Sequence, residues 1–446
     1  MPTTARSLAL GVLDSYQPQK SNLSQVLAVH FSRQANAIPD RGFARDLVWG
    51  VVRYLNTIDW FVDHFADEPG RIDPRVRNIL RLGVFQILYF EERVPHYAAV
   101  NESVELATRA GRAKAGKFVN AVLRNIIRKV NDLPWPPNED NALKSLAVRN
   151  AHPAWLVSRW LDRWGNDETV KLCQANNVVP HLTIRANTLK ISAEDLKKWL
   201  EAEGVAVEAC SCAEDGLVLL SNPEIESLES YRLGYFIVQD EASQLVANVL
   251  DPREGETIVD LCSGAGIKTS HIVQLTNQQV RVVAVDNATQ QIDKAKQNFQ
   301  RMGVAPNIET VQADARRFGD FLADRVLVDA PCSGLGVMRR KPDIKWNRSE
   351  EDVAVRYPAL QKAILFNGAR LVKMGGVMVY CTCTTEPEEN ESVVKEFLLR
   401  FPDFRLEEIP LRGPAQRLMT RSKYYFSTLP HRDGLDGFFA VKLRRR

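Results

Sequence analysis

This sequence offers no apolar run long enough to cross a bilayer. Residues 83–90, GVFQILYF, are too few to span a hydrocarbon core and include Gln86. From Met1 to Asp14 there is one Arg and only a brief apolar run ahead of an acid, unlike a secretory signal. A cytoplasmic protein without membrane contact is therefore expected. Cysteine is sparse: Cys173, Cys210, Cys212, Cys262, Cys332, Cys381 and Cys383 form an odd set without regular spacing, which argues against a disulfide framework and suits free thiols. The pairs Cys210/Cys212 and Cys381/Cys383 lack a second compact Cys/His pair, so no metal site is expected. Repeats and low-complexity tracts are absent, and the formal charge is only +3.

What is present is a globular mixture, 45% apolar and 25% charged, over 446 residues, more than one core usually serves; two or three domains follow. The charge is uneven. Residues 1–130 carry 18 Lys or Arg against 12 Asp or Glu, whereas the remainder is slightly acidic, as a polyanion-binding module fused to a neutral body would be. In that first segment apolar residues recur at three and four, as in Leu47, Val51, Tyr54 and Leu55 or Val76, Ile79, Leu80 and Val84. Amphipathic helices result, with turn signals at Pro39, Pro69–Gly70 and Pro95, and Asp73 and Pro74 suited to opening a helix.

Residues 131–140, NDLPWPPNED, hold three prolines and mark a boundary. Helical periodicity returns over 141–180, where Trp155, Trp160 and Trp164 are expected in a core or seam. Short β-like runs over 181–238 around one helix, near 193–203, predict a small α+β insert. From Gln239 onward strands and helices alternate, which predicts an α/β domain with a largely parallel sheet.

Open parallel sheets bind ligands at the carboxyl ends of their strands, and there the chemistry-bearing residues collect. The strand ending at Asp260 and Leu261 runs into a turn, Cys262, Ser263, Gly264, Ala265, Gly266, Ile267 and Lys268, whose glycines let the backbone approach a nucleoside cofactor. Neither a P-loop nor the nicotinamide fingerprint GxGxxG is present. Asp286 closes the next strand as a candidate ribose acceptor, and Asp314 follows another as a candidate for the adenine side. VLVDAPCSGLGVMRRKPDIKW, 326–346, sets Asp329 and Cys332 at a strand end ahead of Arg339, Arg340, Lys341 and Lys345, a candidate phosphate-facing surface on which Trp346 could stack a base. The strand at 375–390 then delivers Cys381 and Cys383. A thiolate at a ligand-bearing sheet edge is a candidate nucleophile.

DAPCSG at 329–334 and TCT at 382–384 followed by PEEN at 387–390 resemble the RNA (cytosine-5) methyltransferases. So do KFVNAVLRN at 117–125, HPAW at 152–155, QDEAS at 239–243, RRKPDIKW at 339–346 and DGFFAVKL at 436–443, with the bacterial 16S ribosomal RNA member as the nearest pattern. That resemblance implies a NusB-like helical RNA-binding domain over 1–135, linker helices and a small α+β RNA-contacting domain over 141–238, and a Rossmann-like methyltransferase domain over 239–446. It further implies S-adenosylmethionine as cofactor and a cytosine of 16S ribosomal RNA, naked or in a partly assembled small subunit, as substrate of a monomer.

By the same resemblance Cys383 takes the position of the nucleophile on cytosine C6, and Cys332 that of the cysteine tied to product release. Asp329 would contact the base edge, and Lys268 would lie near the cofactor or that acid. Cofactor positions map to Cys262–Lys268, Asp286, Gln291, Asp314 and Asp329. Two departures stand out: Gly264, Ala265, Gly266 and Ile267 replace the family's Ala-Pro-Gly-Gly, and Gln291 replaces an Arg. Ile in place of Gly forbids a left-handed backbone at low cost. The alternative is thus an RNA-binding assembly protein with a degraded cofactor site. Arg45, Arg53, Lys117, Arg124 and Arg128 are candidate phosphate contacts.

Overall fold

A computed structural model describes residues 4–33, 40–109, 113–137, 141–319, 321–419 and 421–446; the turn at Pro39 and residues 138–140 of the Pro-rich stretch lie outside these. By contacts the chain forms two units, Met1–Val178 with Met338–Glu350, and Val179–Val337 with Glu351–Arg446. Among the described residues no helix is long and apolar enough to cross a membrane.

The first unit is helical: α1 (Ala5–Ser15), α2 (Leu23–Arg33), α3 (Arg41–Arg53), α4 (Leu55–Phe65), α5 (Pro74–Tyr89), α6 (His96–Arg109), α7 (Ala113–Arg128), α8 (Ala142–Arg149) and α9 (Ala154–Asn177). The three-four stripes seen in the sequence become its core, with Leu10, Leu47, Val51, Ile79, Leu80 and Val84 all buried together. Asp73 caps α5 by accepting from the Arg75 and Val76 amides, and Pro74 occupies the first helical position, where no amide is needed. The Pro-rich stretch interrupts the helices without ending the unit. Trp60 Nε1 donates to Pro134 O at 2.7 Å, and Asn56 Nδ2 donates to Ala147 O and His152 O, so α8 and α9 pack with the preceding helices. Trp160 is fully buried, as a core residue should be.

The second unit opens with the insert: β1 (Leu182–Ala186), α10 (Ala193–Ala202), β2 (Val207–Ala209), β3 (Gly216–Leu219), the short α11 (Glu229–Arg232) and β4 (Phe236–Val238), forming an antiparallel sheet in the order β2-β3-β1-β4. The α/β domain follows with α12 (Glu241–Leu250), β5 (Thr257–Asp260), α13 (Ile267–Leu275), β6 (Arg281–Asp286), α14 (Thr289–Met302), β7 (Ile308–Gln312) and β8 (Ala323–Asp329). Beyond α15 (Ile344–Asn347) come α16 (Tyr357–Leu371), β9 (Val372–Thr382), α17 (Glu391–Arg400), β10 (Phe404–Glu407), β11 (Tyr425–Thr428), α18 (Pro430–Asp433) and β12 (Phe438–Arg445).

The large sheet runs β10-β12-β9-β8-β5-β6-β7, with β11 also on β12. Strands β9, β8, β5, β6 and β7 are parallel, and β12 joins β9 antiparallel. From β5 the chain builds outward in one direction through β6 and β7, then returns to the other side of β5 with β8 and β9. The direction reverses between β5 and β8, where such sheets open a crevice at their carboxyl ends.

One expectation is overturned. Lys345 and Trp346, in α15, are not on an RNA-facing surface: Met338–Glu350 belongs to the helical unit. Lys345 is fully buried and its Nζ donates to Arg53 O (3.2 Å), Ala151 O (3.0 Å) and Asn177 Oδ1 (2.5 Å), while Trp346 Nε1 donates to Val52 O at 2.7 Å. Arg53 is likewise buried, donating to Asn176 O, and is removed from the phosphate candidates. The motif's strong basic character therefore misleads, because three carbonyl oxygens satisfy the ammonium inside a core. Lys345→Met should leave those oxygens unpaired and destabilise the helical unit by about 3 kcal/mol. A thermal midpoint measured by circular dichroism that does not fall would contradict this.

Candidate active site

The turn after β5 is held by its own backbone. Ser263 N donates to Val285 O, Gly266 N to Ser263 O, and Asn298 Nδ2 to Ala265 O, each at 2.9 or 3.0 Å. Gly264 and Gly266 adopt φ of 54° and 75°, the left-handed region. Ile267 does not; it is the first residue of α13, with Gly266 preceding the helix as its cap. The strain expected from an Ile in this turn is therefore absent, because the left-handed step is taken one residue earlier.

The two glycines are needed for different reasons. A Cβ on Gly266 would lie 2.3 Å from the Phe299 ring, whereas one on Gly264 would meet nothing within 4 Å. Open space over Gly264 fits a bound group, and Ser263 Oγ is buried there with no hydrogen-bond partner among the described residues. Asp286, at the end of β6, accepts from Gly264 N (3.0 Å) and Ala288 N (2.8 Å), one amide on each oxygen, leaving further lone pairs for ribose hydroxyls. Asp314 is turned into a fork with Arg316, at 2.6 and 3.0 Å, which with the Arg316 amide pulls its pKa down to about 2. Gln291 is exposed in the first turn of α14. These residues and the turn fit a nucleoside cofactor.

Asp260 sits under the turn, buried, with Thr269 Oγ1 donating to Oδ2 at 2.7 Å. Burial pushes its pKa up to about 7, against the opposing pull of the Thr269 bond. Its proton is thus bound in the folded state and free in the unfolded state between about pH 4 and pH 7, so this group lowers stability as pH rises through that window. The stability difference between Asp260→Asn and the natural chain should shift in the variant's favour as pH climbs from 4 to 7; urea titrations showing a pH-independent difference would refute the assignment.

The reactive side chains gather where β8 and β9 end. Asp329 and Cys381 are paired in register. Lys268 Nζ lies 2.6 Å from Asp329 Oδ2, and Cys381 Sγ donates to Asp329 Oδ1 at 3.3 Å. Burial alone would lower the Lys268 ammonium, but Asp329, with smaller contributions from Cys381 and Cys383, holds its pKa above the ordinary value. Just beyond the strand ends Cys332 Sγ and Cys383 Sγ approach to 3.2 Å. The hydrogen bond with Cys383, reinforced by burial, raises the Cys332 thiol well above its usual pKa and keeps it protonated. Cys381, by contrast, is buried in the strand and raised by burial and by Asp329.

The sequence pattern left one part of this site unassigned. Glu389, in PEEN, is fully buried; its Oε2 accepts from Ser333 N (2.8 Å) and Gln361 Nε2 (2.9 Å), and Oε1 accepts from Thr384 Oγ1 at 3.2 Å. Ser333 Oγ in turn donates to Thr384 Oγ1 at 2.9 Å, and Asn390 Nδ2 donates to Thr384 O at 3.0 Å. The PCSG turn and the TCT strand end are thereby tied to one carboxyl group. Its spacing from Cys383 was visible in the sequence, but its role needed the turn between them.

Gly266→Ala should lose cofactor affinity at least tenfold by displacing Phe299 beneath the turn. Gly264→Ala meets no neighbour in the chain and should cost the fold only the left-handed backbone, about 1 kcal/mol, but its Cβ enters the space that fits the bound group and should also weaken cofactor binding. Thermal melts separate the two variants, with Gly266→Ala losing more because of Phe299, and calorimetric titration with S-adenosylmethionine reads both losses of affinity; equal falls in the melting midpoint would contradict the contact analysis.

Residues 247–444 match the family described as 16S rRNA methyltransferase RsmB/F, residues 3–128 the NusB family, and residues 152–226 the ferredoxin-like domain of RsmF/B-like methyltransferases. The chain is similar to a probable ribosomal RNA small subunit methyltransferase B of Bacillus subtilis (strain 168), 34% identical over 100% of this chain and 99% of the relative. It is also 34% identical to ribosomal RNA small subunit methyltransferase B of Serratia proteamaculans (strain 568), over 98% of each. Among solved structures, PH0851 superposes with a TM-score of 0.80 at 26% identity, covering 100% of this chain and 99% of its own. NSun6 from Pyrococcus horikoshii, solved with SFG, gives 0.59 at 26% identity over 66% of this chain and 99% of its own.

Proposed function

The chain belongs to the RsmB/F family of 16S rRNA methyltransferases as an S-adenosylmethionine-dependent cytosine-5 methyltransferase, and on that premise we propose that it methylates a cytosine of 16S ribosomal RNA through a covalent bond between Cys383 and C6. The observation that carries this reading is the 3.2 Å approach of the Cys332 and Cys383 sulfurs beside the Lys268–Asp329 pair, at the carboxyl ends of β8 and β9.

S-adenosylmethionine supplies the electrophilic methyl group when bound. Asp286 and the turn from Cys262 to Lys268 would hold it, with Ser263 Oγ free to bond it. The Cys383 sulfur gives an electron pair to C6, and the 5,6 double-bond pair moves toward C5, where a methyl group can be accepted. The Cys332 thiol, its pKa raised by the contact with Cys383 and by burial, lies 3.2 Å from the Cys383 sulfur, within reach to donate its S–H to it. Asp329, beside the Lys268 ammonium, would hydrogen-bond the cytosine edge at N3 or the exocyclic amine, stabilising nitrogen protonation as negative charge develops in the ring. Removal of the C5 proton by a base lets the C5–H pair re-form the 5,6 double bond and returns the C6–S pair to Cys383, releasing the methylated base; Cys332 takes the position that the resemblance ties to this product release. Because C6 is shielded inside a stack, the cytosine must be presented unstacked.

Two substitutions divide the roles. Cys383→Ser should bind cofactor normally and transfer no methyl group, since a neutral hydroxyl is a poor nucleophile. Cys332→Ala should add to RNA and fail to let go, giving a slow band on denaturing electrophoresis that requires RNA and is absent from the double variant. Labelled methyl incorporation into unmodified 16S RNA, followed by nucleoside analysis, tests the reaction itself; a trapped complex mapping to a residue other than Cys383 would overturn the mechanism.

A further inference from the structure

We propose that the face formed by α7 and the start of α6 is a docking platform for an unpaired RNA strand, with Tyr97 as the base-stacking group and Lys117, Arg124 and Arg128 as phosphate contacts. This rests on the RNA substrate proposed above and names where the helical unit grips it.

Four features coincide there. Helix α7 contains no acidic residue, and Lys114, Lys117, Ala121, Arg124 and Arg128 are exposed at spacings of three and four, so its cations share one stripe. Within the described residues none of these four cations has a carboxylate partner. Arg124 Nε donates to Asn120 Oδ1 at 3.0 Å and Arg128 donates to Asn125, contacts that leave their charge uncompensated. Elsewhere in the helical unit the pattern differs: Arg77 and Arg81 are paired with Asp59, and Arg93 with Asp46.

Next to this stripe lies an open groove of about 880 Å³, lined by Tyr97, Val100, Asn101, Arg124, Ile127 and Arg128. Tyr97 is 72% exposed, whereas most aromatic rings of this unit pack on its core. The groove's single acid, Glu91, faces His96 Nε2 at 3.5 Å. An exposed ring with an apolar floor and two unpaired guanidinium groups matches the chemistry of single-strand binding, in which any base offers a π-face and the backbone offers phosphates. A duplex would hide its bases from Tyr97, and an apolar protein partner would leave both arginines uncompensated.

The test uses the full chain and a fluorescein-labelled, unstructured RNA dodecamer in anisotropy titrations across salt concentrations. Tyr97→Ala should weaken binding about five- to a hundredfold, the range expected for one lost stack, and Tyr97→Phe should retain it. The double variant Arg124→Gln/Arg128→Gln should reduce the slope of log affinity against log salt by about 1.4. In methyl-transfer assays on 16S RNA, the same variants should raise KM and leave kcat at saturating RNA unchanged.

Affinity, slope and KM equal to the unsubstituted chain would overturn the proposal, as would an equal loss at Tyr97→Ala for a blunt RNA duplex. Loss with the arginine variants but not with Tyr97→Ala would also overturn it, reducing the face to a nonspecific cationic patch. The dodecamer titration does not depend on catalysis. A chain that binds RNA at Tyr97 but never methylates it would refute the proposed reaction and leave this platform standing.

Discussion

The parallel register of β8 and β9 is the constraint on which the site depends. Pairing Asp329 with Cys381 sets the level at which both strands leave the sheet, and the two chains then turn toward each other so that Cys332 and Cys383 meet. A slip of one residue in either strand would flip its side chains to the opposite face. Asp329 would then leave Lys268, and Cys381, now buried against it, would be exchanged for a neighbour. Such slips are disfavoured because both strands are central and carry continuous apolar runs, Val326 to Val328 and Val377 to Tyr380, buried on both faces.

That register would leave two loose turns if nothing held them, and the holding group is a buried acid. Among the described residues Glu389 has no ion-pair partner; its pKa is raised by burial and countered by hydrogen bonds from Ser333, Gln361 and Thr384. A carboxyl group with several acceptor sites can tie more strands of chain than any neutral side chain, provided every donor is supplied. The same logic runs at Asp329 with the opposite result. There the partner is the Lys268 ammonium at 2.6 Å, an ion pair at the strand end in place of a set of loop donors. A buried acid past one strand end and a partly exposed acid at the other thus differ according to their partners.

The periodicities carried most of the architecture. The alternation of strands and helices in the α/β block and the insert was legible because each alternation has one period and one turn signal, but the strand expected over 375–390 runs from Val372 to Thr382, with Cys383 already past its end. The placement of Asp286, Asp329, Cys332 and Cys383 at or just past the carboxyl ends of parallel strands, with Lys268 in the first turn of α13, was legible as well, since a parallel sheet gathers such ends. What failed were readings that depend on what covers a residue. Lys345, Trp346 and Arg53 look like an RNA surface by composition, yet each donates into backbone carbonyls of a core. Ile267 looked strained because the turn's left-handed positions cannot be assigned from glycine count alone; the backbone places them at Gly264 and Gly266. Glu389 carried no hydrophobic or charge pattern that distinguishes a loop tie from a solvated acid.

The insert is joined to this chemistry by one buried cation. Arg185 of β1 donates to Gln274 Oε1 and Ile267 O at 3.2 Å, to Ser270 Oγ at 2.9 Å, and to Gln239, with burial lowering its pKa to about 9. Three of those acceptors belong to α13, the helix that the cofactor turn feeds directly. Pulling a guanidinium away from four acceptors inside a core would strand all of them unpaired, at several kcal/mol. The insert and α13 must therefore move as one body. A load on the insert would therefore reach the backbone of the turn ahead of α13 through Ile267.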